Sequence, residues 1–243
     1  MRGALLALCL ALAPAAGAAV PDGQRIAEAL ARANQKAGRA EPIILDVSLR
    51  IGDSEPLATG VLASHPTGLA RLELRSHQGF VERHLLQGSE YTASRDGELL
   101  AAPRPFLPPI FLLQAGSGAA LRAALESFGV AAGAVALGLA DERDCYVLGG
   151  RATGPAAGVG SGLPALWVDM DSFEVVRIDA PDGVRFRFGP VADFDGLRAP
   201  TWISIEVPGQ APARLEVVRA SRANAPAAAF GRDWLAAPGP LTP

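Results

Sequence analysis

The feature that most constrains this chain is a run of short segments in which apolar and polar residues alternate with a period of two. Within residues 46–51, Val47, Leu49 and Ile51 alternate with polar neighbours, and Gly52, Asp53 and Pro56 then break the run. Residues 57–63 form a second segment, and Leu72 and Leu74 alternate with Arg71, Glu73 and Arg75 in a third. Residues 80–86 and 90–94 continue the series, separated by Gly79, Gly88 and Asp96-Gly97. Strand-like stretches recur near Val135 and Cys145, and the last part is again strongly β. There, residues 166–169 and 174–179 flank a turn at Asp171-Ser172. Val184, Phe186 and Phe188 alternate with Arg185 and Arg187, and Ile203, Ile205 and Val207 with Ser204 and Glu206. Residues 215–219 close the series. Strands arriving at such short intervals pair antiparallel through hairpins, because parallel neighbours need a long crossover. About ten or eleven strands are expected.

Two stretches change to a helical period. Asp22 caps a helix expected to reach about Ala37, with Ile26, Leu30, Ala29 and Ala33 on one face and Arg25, Glu28, Arg32 and Lys36 on the other. A shorter helix over 119–128 puts Leu121, Leu125 and Phe128 on one side. Between the strands and this second helix, residues 103–109 are proline-rich and run into the apolar turn Ile110-Phe111-Leu112-Leu113. Residues 149–162, rich in Gly and Ala, read as a loop.

Each strand offers one apolar face, which another sheet, helices or a ligand must cover. The helical segments are few, so the economical arrangement is mostly β with a few helices. It is an incomplete, strongly curved antiparallel β-barrel closed by helices across its mouth. Such a concave apolar surface is what a ligand pocket requires.

The first 18 residues read as a secretory signal: Arg2, an apolar run from Ala4 to Ala13, Pro14, then the small-x-small site Ala16-Gly17-Ala18. The apolar run is about 10 residues, short of the ~20 that span a bilayer. Cys9 lies inside that run with Leu8 before it, which does not suit a lipid-modified cysteine. Residues 19–243 are then expected to form a single exported domain. It would keep only Cys145, which cannot form an internal disulfide and is expected to be buried. With 22 Lys+Arg against 25 Asp+Glu, the chain carries no basic footprint for nucleic acid or anionic surfaces. No later apolar stretch is long enough to cross a membrane, so the mature protein is expected to be soluble.

A catalytic or metal constellation is not legible. His65, His77 and His84 lie within one stretch, but without HExxH or a nearby Cys they read as scattered strand-edge residues. Gly158-Val159-Gly160-Ser161-Gly162 fails both the nucleophile elbow and GxGxxG, because Val159 and Leu163 stand where glycines are required. Asp169-Met170-Asp171 lacks the later residues of a calcium loop and reads as a hairpin turn. The apolar run 106–113 reads either as a core turn or as a lid over an acyl chain, hinged by the flanking prolines and Gly116.

The pattern resembles the periplasmic lipoprotein-carrier family, the LolA/LolB-like proteins. The resemblance rests on an opening helix and strand, then Gly60-Val61-Leu62 and Pro66-x-x-Leu69-x-Arg71-Leu72. Leu85-Leu86-Gln87-Gly88-Ser89-Glu90-Tyr91 also fits, as do Leu166-Trp167-Val168-Asp169, Val175-Val176-Arg177-Ile178, Phe188, Asp193-Phe194, Pro200 and Ile203-Ile205. Asn224, Phe230 and Pro238 match its closing segment. The resemblance implies a half-barrel that shields the acyl chains of a lipoprotein or lipid in the periplasm, with no catalytic residue, cofactor or metal. Its partners would be the acyl chains and donor and acceptor proteins of the two membranes, and the chain would be a monomer. Where the best-known carriers place an Arg before the Pro of this motif, helping to hold the lid closed, this chain has His65.

On the carrier reading, the residues expected to line the cavity are Val47, Leu49, Ile51, Leu72, Leu74, Phe186, Phe188, Ile203 and Ile205. Phe111 and Leu112 would lie on the lid, and His65 beside it. The alternative is a non-catalytic periplasmic sensor or interaction module of the same fold.

Overall fold

A computed structural model describes residues 20–149 and 164–236, so residues 1–18 expected to form a signal, Cys9 and the 158–162 run lie outside the described residues. The alternating segments form strands where the pattern puts them. In the first half these are β1 (Ile43–Ile51), β2 (Ala58–His65), β3 (Leu69–Ser76), β4 (Val81–Gln87), β5 (Glu90–Arg95) and the two-residue β6 (Glu98–Leu99). In the second half they are β7 (Val135–Ala140), β8 (Arg143–Gly149), β9 (Ala165–Asp169), β10 (Val175–Asp179) and β11 (Arg185–Phe188). The series ends with β12 (Val191–Phe194), β13 (Leu197–Pro200), β14 (Trp202–Glu206) and β15 (Ala213–Arg222). The described strands exceed the ten or eleven expected; β6 is too short to show alternation, and the β12–β13 hairpin carries none that is clear.

Thirteen strands make one antiparallel sheet in the order β6-β5-β4-β3-β2-β1-β15-β14-β11-β10-β9-β8-β7, and β12 and β13 pair separately. Every connection inside the two halves is between neighbours in sequence or nearly so. The halves are joined at the centre by β1 and β15, the first and last strands, which pair from Ile43↔Arg222 to Ile51↔Ala213 with a bulge after Asp46. A sheet of this size curls rather than staying flat. It is curved but not closed into a barrel, since β6 and β7 remain at its two ends. Gly60 marks how closely β2 and β3 approach: a Cβ there would run into the Glu73 carbonyl and the Leu74 side chain. Gly60→Ala is therefore expected to cost about 1–3 kcal/mol, read as a lower urea midpoint with an unchanged slope.

The period of two sends one set of side chains to the inner face. Leu45, Val47 and Leu49 stand beside Leu62 of β2, Leu72 and Leu74 of β3, and Leu215 of β15, all within one apolar core. The outer face differs on the two sides. Over β1–β4 it is capped by the 3-10 turns Ala227–Phe230 and Arg232–Leu235, whose Phe230, Trp234 and Leu235 pack on Ile44, Ala63 and Leu85. Over β10, β11 and β14 it carries cross-strand ion pairs, Arg185 to Asp179 at 3.1 Å and Arg187 to Glu206 at 3.3 Å.

Helix α1 (Gly23–Lys36) and helix α2 (Gly118–Ser127) lie against the inner face. Asp22 caps the first through a bond from the Arg25 amide, and Ser117 caps the second through the Ala120 amide. Ile26 and Leu30 of α1 are buried as expected, but the stripe is rotated so that Ala27, Ala31 and Asn34 join them in place of the half-buried Ala29 and Ala33. The rotation follows from α2: Gly118 sits against Glu28 with no room for a Cβ, so α2 occupies the neighbouring flank. No helix among the described residues is long and apolar enough to cross a membrane.

Candidate functional site: a covered apolar hollow

The inner face of the sheet is filled by a segment that belongs to neither strand nor long helix. Residues 103–109 contain Pro103, Pro105, Pro108 and Pro109, and the 3-10 turn Ile110–Leu113 follows. Phe106, Leu107, Ile110, Phe111, Leu112 and Leu113 are all buried in the main core. Prolines have no N–H to give to a ladder. Accordingly the segment's backbone–backbone bonds are local, such as Phe106 N–H to the Arg104 carbonyl at 2.9 Å and Leu112 N–H to the Pro109 carbonyl at 3.1 Å. It covers the sheet with side chains and adds nothing to its hydrogen bonding.

Side chains anchor the segment at both ends. Downstream, Gln114 is fully buried; it accepts from the Ser64 hydroxyl at 2.5 Å and donates to the Glu41 carbonyl at 2.8 Å and the Arg39 carbonyl at 3.3 Å. Asn34 donates to the Ala115 carbonyl at 3.2 Å. Behind these lies Arg39, only 1% exposed, which donates to Asn34 at 3.1 Å and to the Glu174 carboxylate at 2.5 Å. Ser64, Asn34, Arg39 and Gln114 thus form one buried polar cluster joining α1, β2 and the start of β10 to the covering segment.

Upstream, the Tyr91 hydroxyl donates to the Arg104 carbonyl at 3.0 Å and lies 2.8 Å from Nδ1 of His84. A hydroxyl has one proton, so Nδ1–H of His84 donates to Tyr91 and the Arg104 carbonyl takes the tyrosine proton. Nε2 of His84 is then a buried acceptor without a partner among the described residues, with the Phe106 ring edge-on at 5.6 Å. Burial holds the His84 pKa down to about 3, and it pushes the Tyr91 phenol up.

Two hollows remain on either side of the covering segment. The first, about 390 Å³, lies between Leu86 and Tyr91 on one side and Ala180 and Phe186 on the other, with Leu107 and Phe128 over it. β4 and β11 are far apart in strand order, so only the curvature of the sheet brings Leu86 and Phe186 to one cavity. The second, about 370 Å³, is bordered by Leu49, Ile51, Leu74, Phe80 and Phe106, with Glu82, Arg95 and Arg104 among its polar lining. Both fall within the range of about 300–1,000 Å³ that small-molecule sites occupy.

The residues expected to line a cavity come together on one face. Val47, Leu49, Leu72, Leu74, Phe111, Leu112, Phe186, Phe188, Ile203 and Ile205 are buried in the same core, and Ile51 packs against it half-buried. Of these, Leu49, Ile51 and Leu74 border the second hollow and Phe186 the first; Phe111 and Leu112 belong to the cover itself, and Val47, Leu72, Phe188, Ile203 and Ile205 lie in the core without bordering either hollow. His65 is elsewhere. Its register with Leu69 puts it on the outer face, where its ring meets Phe230 edge-on at 5.9 Å and Nδ1 lies 2.6 Å from the Thr67 hydroxyl. The side-chain hydrogen bonds at the downstream end of the cover come from Asn34 and Gln114, on the inner side.

The three histidines are not brought together: His65 faces outward, His77 is exposed in the β3–β4 turn, and His84 is buried on the inner face. His84 is thus no strand-edge residue, since β4 lies between β3 and β5. Asp169 organises the turn before β10 by accepting from the Asp171 and Ser172 amides and the Ser172 hydroxyl. Cys145 is buried on the outer side, and burial raises its thiol to about 11. Sequence reasoning missed Tyr91, Arg104 and the Arg39 cluster. Their only signal was polar residues in otherwise apolar surroundings.

No family model and no curated protein matches the sequence. Solved structures do match. A LolA superfamily protein from Nitrosomonas europaea is similar at 15% identity and a TM-score of 0.50, over 89% of this chain and 100% of that one. A DUF1329 family protein from Desulfovibrio piger is similar at 13% identity and a TM-score of 0.50, over 88% of this chain and 100% of that one. A domain described as an outer membrane lipoprotein-sorting protein, from Vibrio parahaemolyticus, is similar at 7% identity and a TM-score of 0.50, over 84% of this chain and 97% of that one. With its curved open sheet, its two inner helices and an apolar cover between them, the chain has the fold of the LolA superfamily.

Proposed function

We propose that the protein is a non-catalytic carrier that takes up the acyl chain of a lipid or lipoprotein between the sheet and the segment 103–113, in the periplasm, on the way to the outer membrane. One observation carries this reading: the apolar inner face is covered by a segment that makes no ladder bonds to it, with a hollow on each side. Displacing that segment exposes apolar side chains without breaking the sheet, and an acyl chain can replace it contact for contact. Each buried CH₂ gains about 0.8 kcal/mol, so a dozen methylenes supply about 10 kcal/mol before the cost of association. The match to a domain described as lipoprotein-sorting agrees with such cargo.

Native mass spectrometry on protein purified without detergent from its own host tests the reading, together with uptake of a fluorescent fatty acid. The expected result is an adduct of lipid or acylated-peptide mass, or probe binding at low-micromolar concentration or tighter. A bare polypeptide that also leaves the probe free in solution rules the carrier out.

A further inference from the structure

The second hollow has an apolar and a charged lining. The buried Leu49, Leu74 and Phe106 border it, together with the buried Glu82 and the partly exposed Arg95 and Arg104. Arg95 is half-exposed, lies over the Phe80 ring at 4.6 Å and is neutralised by Glu82 at 3.0 Å. Arg104 has no such partner. Its terminal nitrogen donates only to the Ala211 carbonyl, its Nε is buried without a hydrogen-bond partner, and no carboxylate among the described residues lies within ion-pair distance. The guanidinium rests over the Phe106 ring at 5.2 Å, on the covering segment itself. One carboxylate therefore faces two guanidinium groups around an apolar cavity.

A partly desolvated guanidinium held by a neutral carbonyl gains most from an anion, which it can bind through two parallel N–H donors. The carboxylate of a fatty acid and the phosphodiester of a phospholipid both offer that geometry at the end of an acyl chain. We propose that this hollow binds the anionic headgroup of a lipid, with Arg104 as its ligand and the chain running inward past Leu49 and Leu74. The inference rests on the carrier reading and narrows it to anionic lipids. Because Arg104 is part of the cover, a bound headgroup also ties the cover over the chain. The lowered basicity that burial imposes on Arg104 fits a cation awaiting a counter-charge.

The test is displacement of a neutral fluorescent apolar probe from the purified full chain at low ionic strength, by two matched pairs. One is oleate against methyl oleate; the other is a short-chain phosphatidylglycerol against the matching phosphatidylcholine. At least one pair is expected to show about a tenfold preference for the anion, or about 1.4 kcal/mol, and the pair that shows it names the headgroup. Arg104→Met is expected to reduce the preference below about twofold, while Arg104→Lys keeps an intermediate part of it, since an ammonium supplies the charge without the fork. For the wild-type chain the preference shrinks in high salt, which tests the charge without any substitution. Equal displacement within both pairs, or a preference that Arg104→Met leaves intact, overturns the anionic site while the carrier reading stands. A probe that never binds, with no lipid taken up, removes both.

Discussion

Replacing Arg39 by methionine is expected to lower the melting temperature by roughly 10 °C. Arg39 and Glu174 are joined at 2.5 Å, with side chains only 1% and 11% exposed. Removing one partner of a buried pair strands the other, which typically costs about 3–5 kcal/mol. In Arg39→Met the Glu174 carboxylate keeps only Arg198, at 3.9 Å. Asn34 and the Arg198 carbonyl also lose a donor. For a domain of this size each kcal/mol corresponds to about 2–4 °C. The double variant Arg39→Met/Glu174→Met is expected to recover at least half of the loss, because no charge is then left in the core. Thermal melts at pH 7 in fixed salt decide it. A shift under about 2 °C in the single variant would mean the pair holds nothing.

A second large effect is expected in acid. The folded protein keeps His84 neutral down to about pH 3, whereas an unfolded histidine takes its proton near pH 6.5. The unfolded state therefore binds more protons between these values, and stability falls as pH falls through that window. At about 1.36 kcal/mol per unit, His84 alone removes about 3 kcal/mol between pH 7 and pH 4. The groups facing it are the Tyr91 hydroxyl, the Phe106 ring and, farther along the inner face of β4, Glu82, already paired with Arg95. None offers the buried imidazolium a free carboxylate. Urea unfolding at the two pH values, for wild type and His84→Gln, isolates the contribution, since the carboxylates titrate alike in both. His84→Gln is expected to lose about 3 kcal/mol less than wild type across the window. Parallel losses would show that His84 does not set the acid sensitivity.

The alternation of single strands was legible because it is a local property. Val47, Leu49 and Ile51, or Ile203 and Ile205, reach one face whatever their partners, and that face is the inner one in every strand expected to line the cavity. The apolar turn at 110–113 and the Asp22 cap were legible for the same reason: each depends on residues within one turn of chain. With them came the mostly-β class and the need for something to cover an apolar face. Tertiary structure alone decided the rest. Nothing local pairs β1 with β15, joins Arg39 to Glu174 across 135 positions, or brings Leu86 opposite Phe186. His65 faces outward because its place in the β2–β3 register does, which a motif position does not reveal. Periodicity sets which side of its own strand a residue takes; the curvature of a thirteen-stranded sheet sets which residues meet across the hollow.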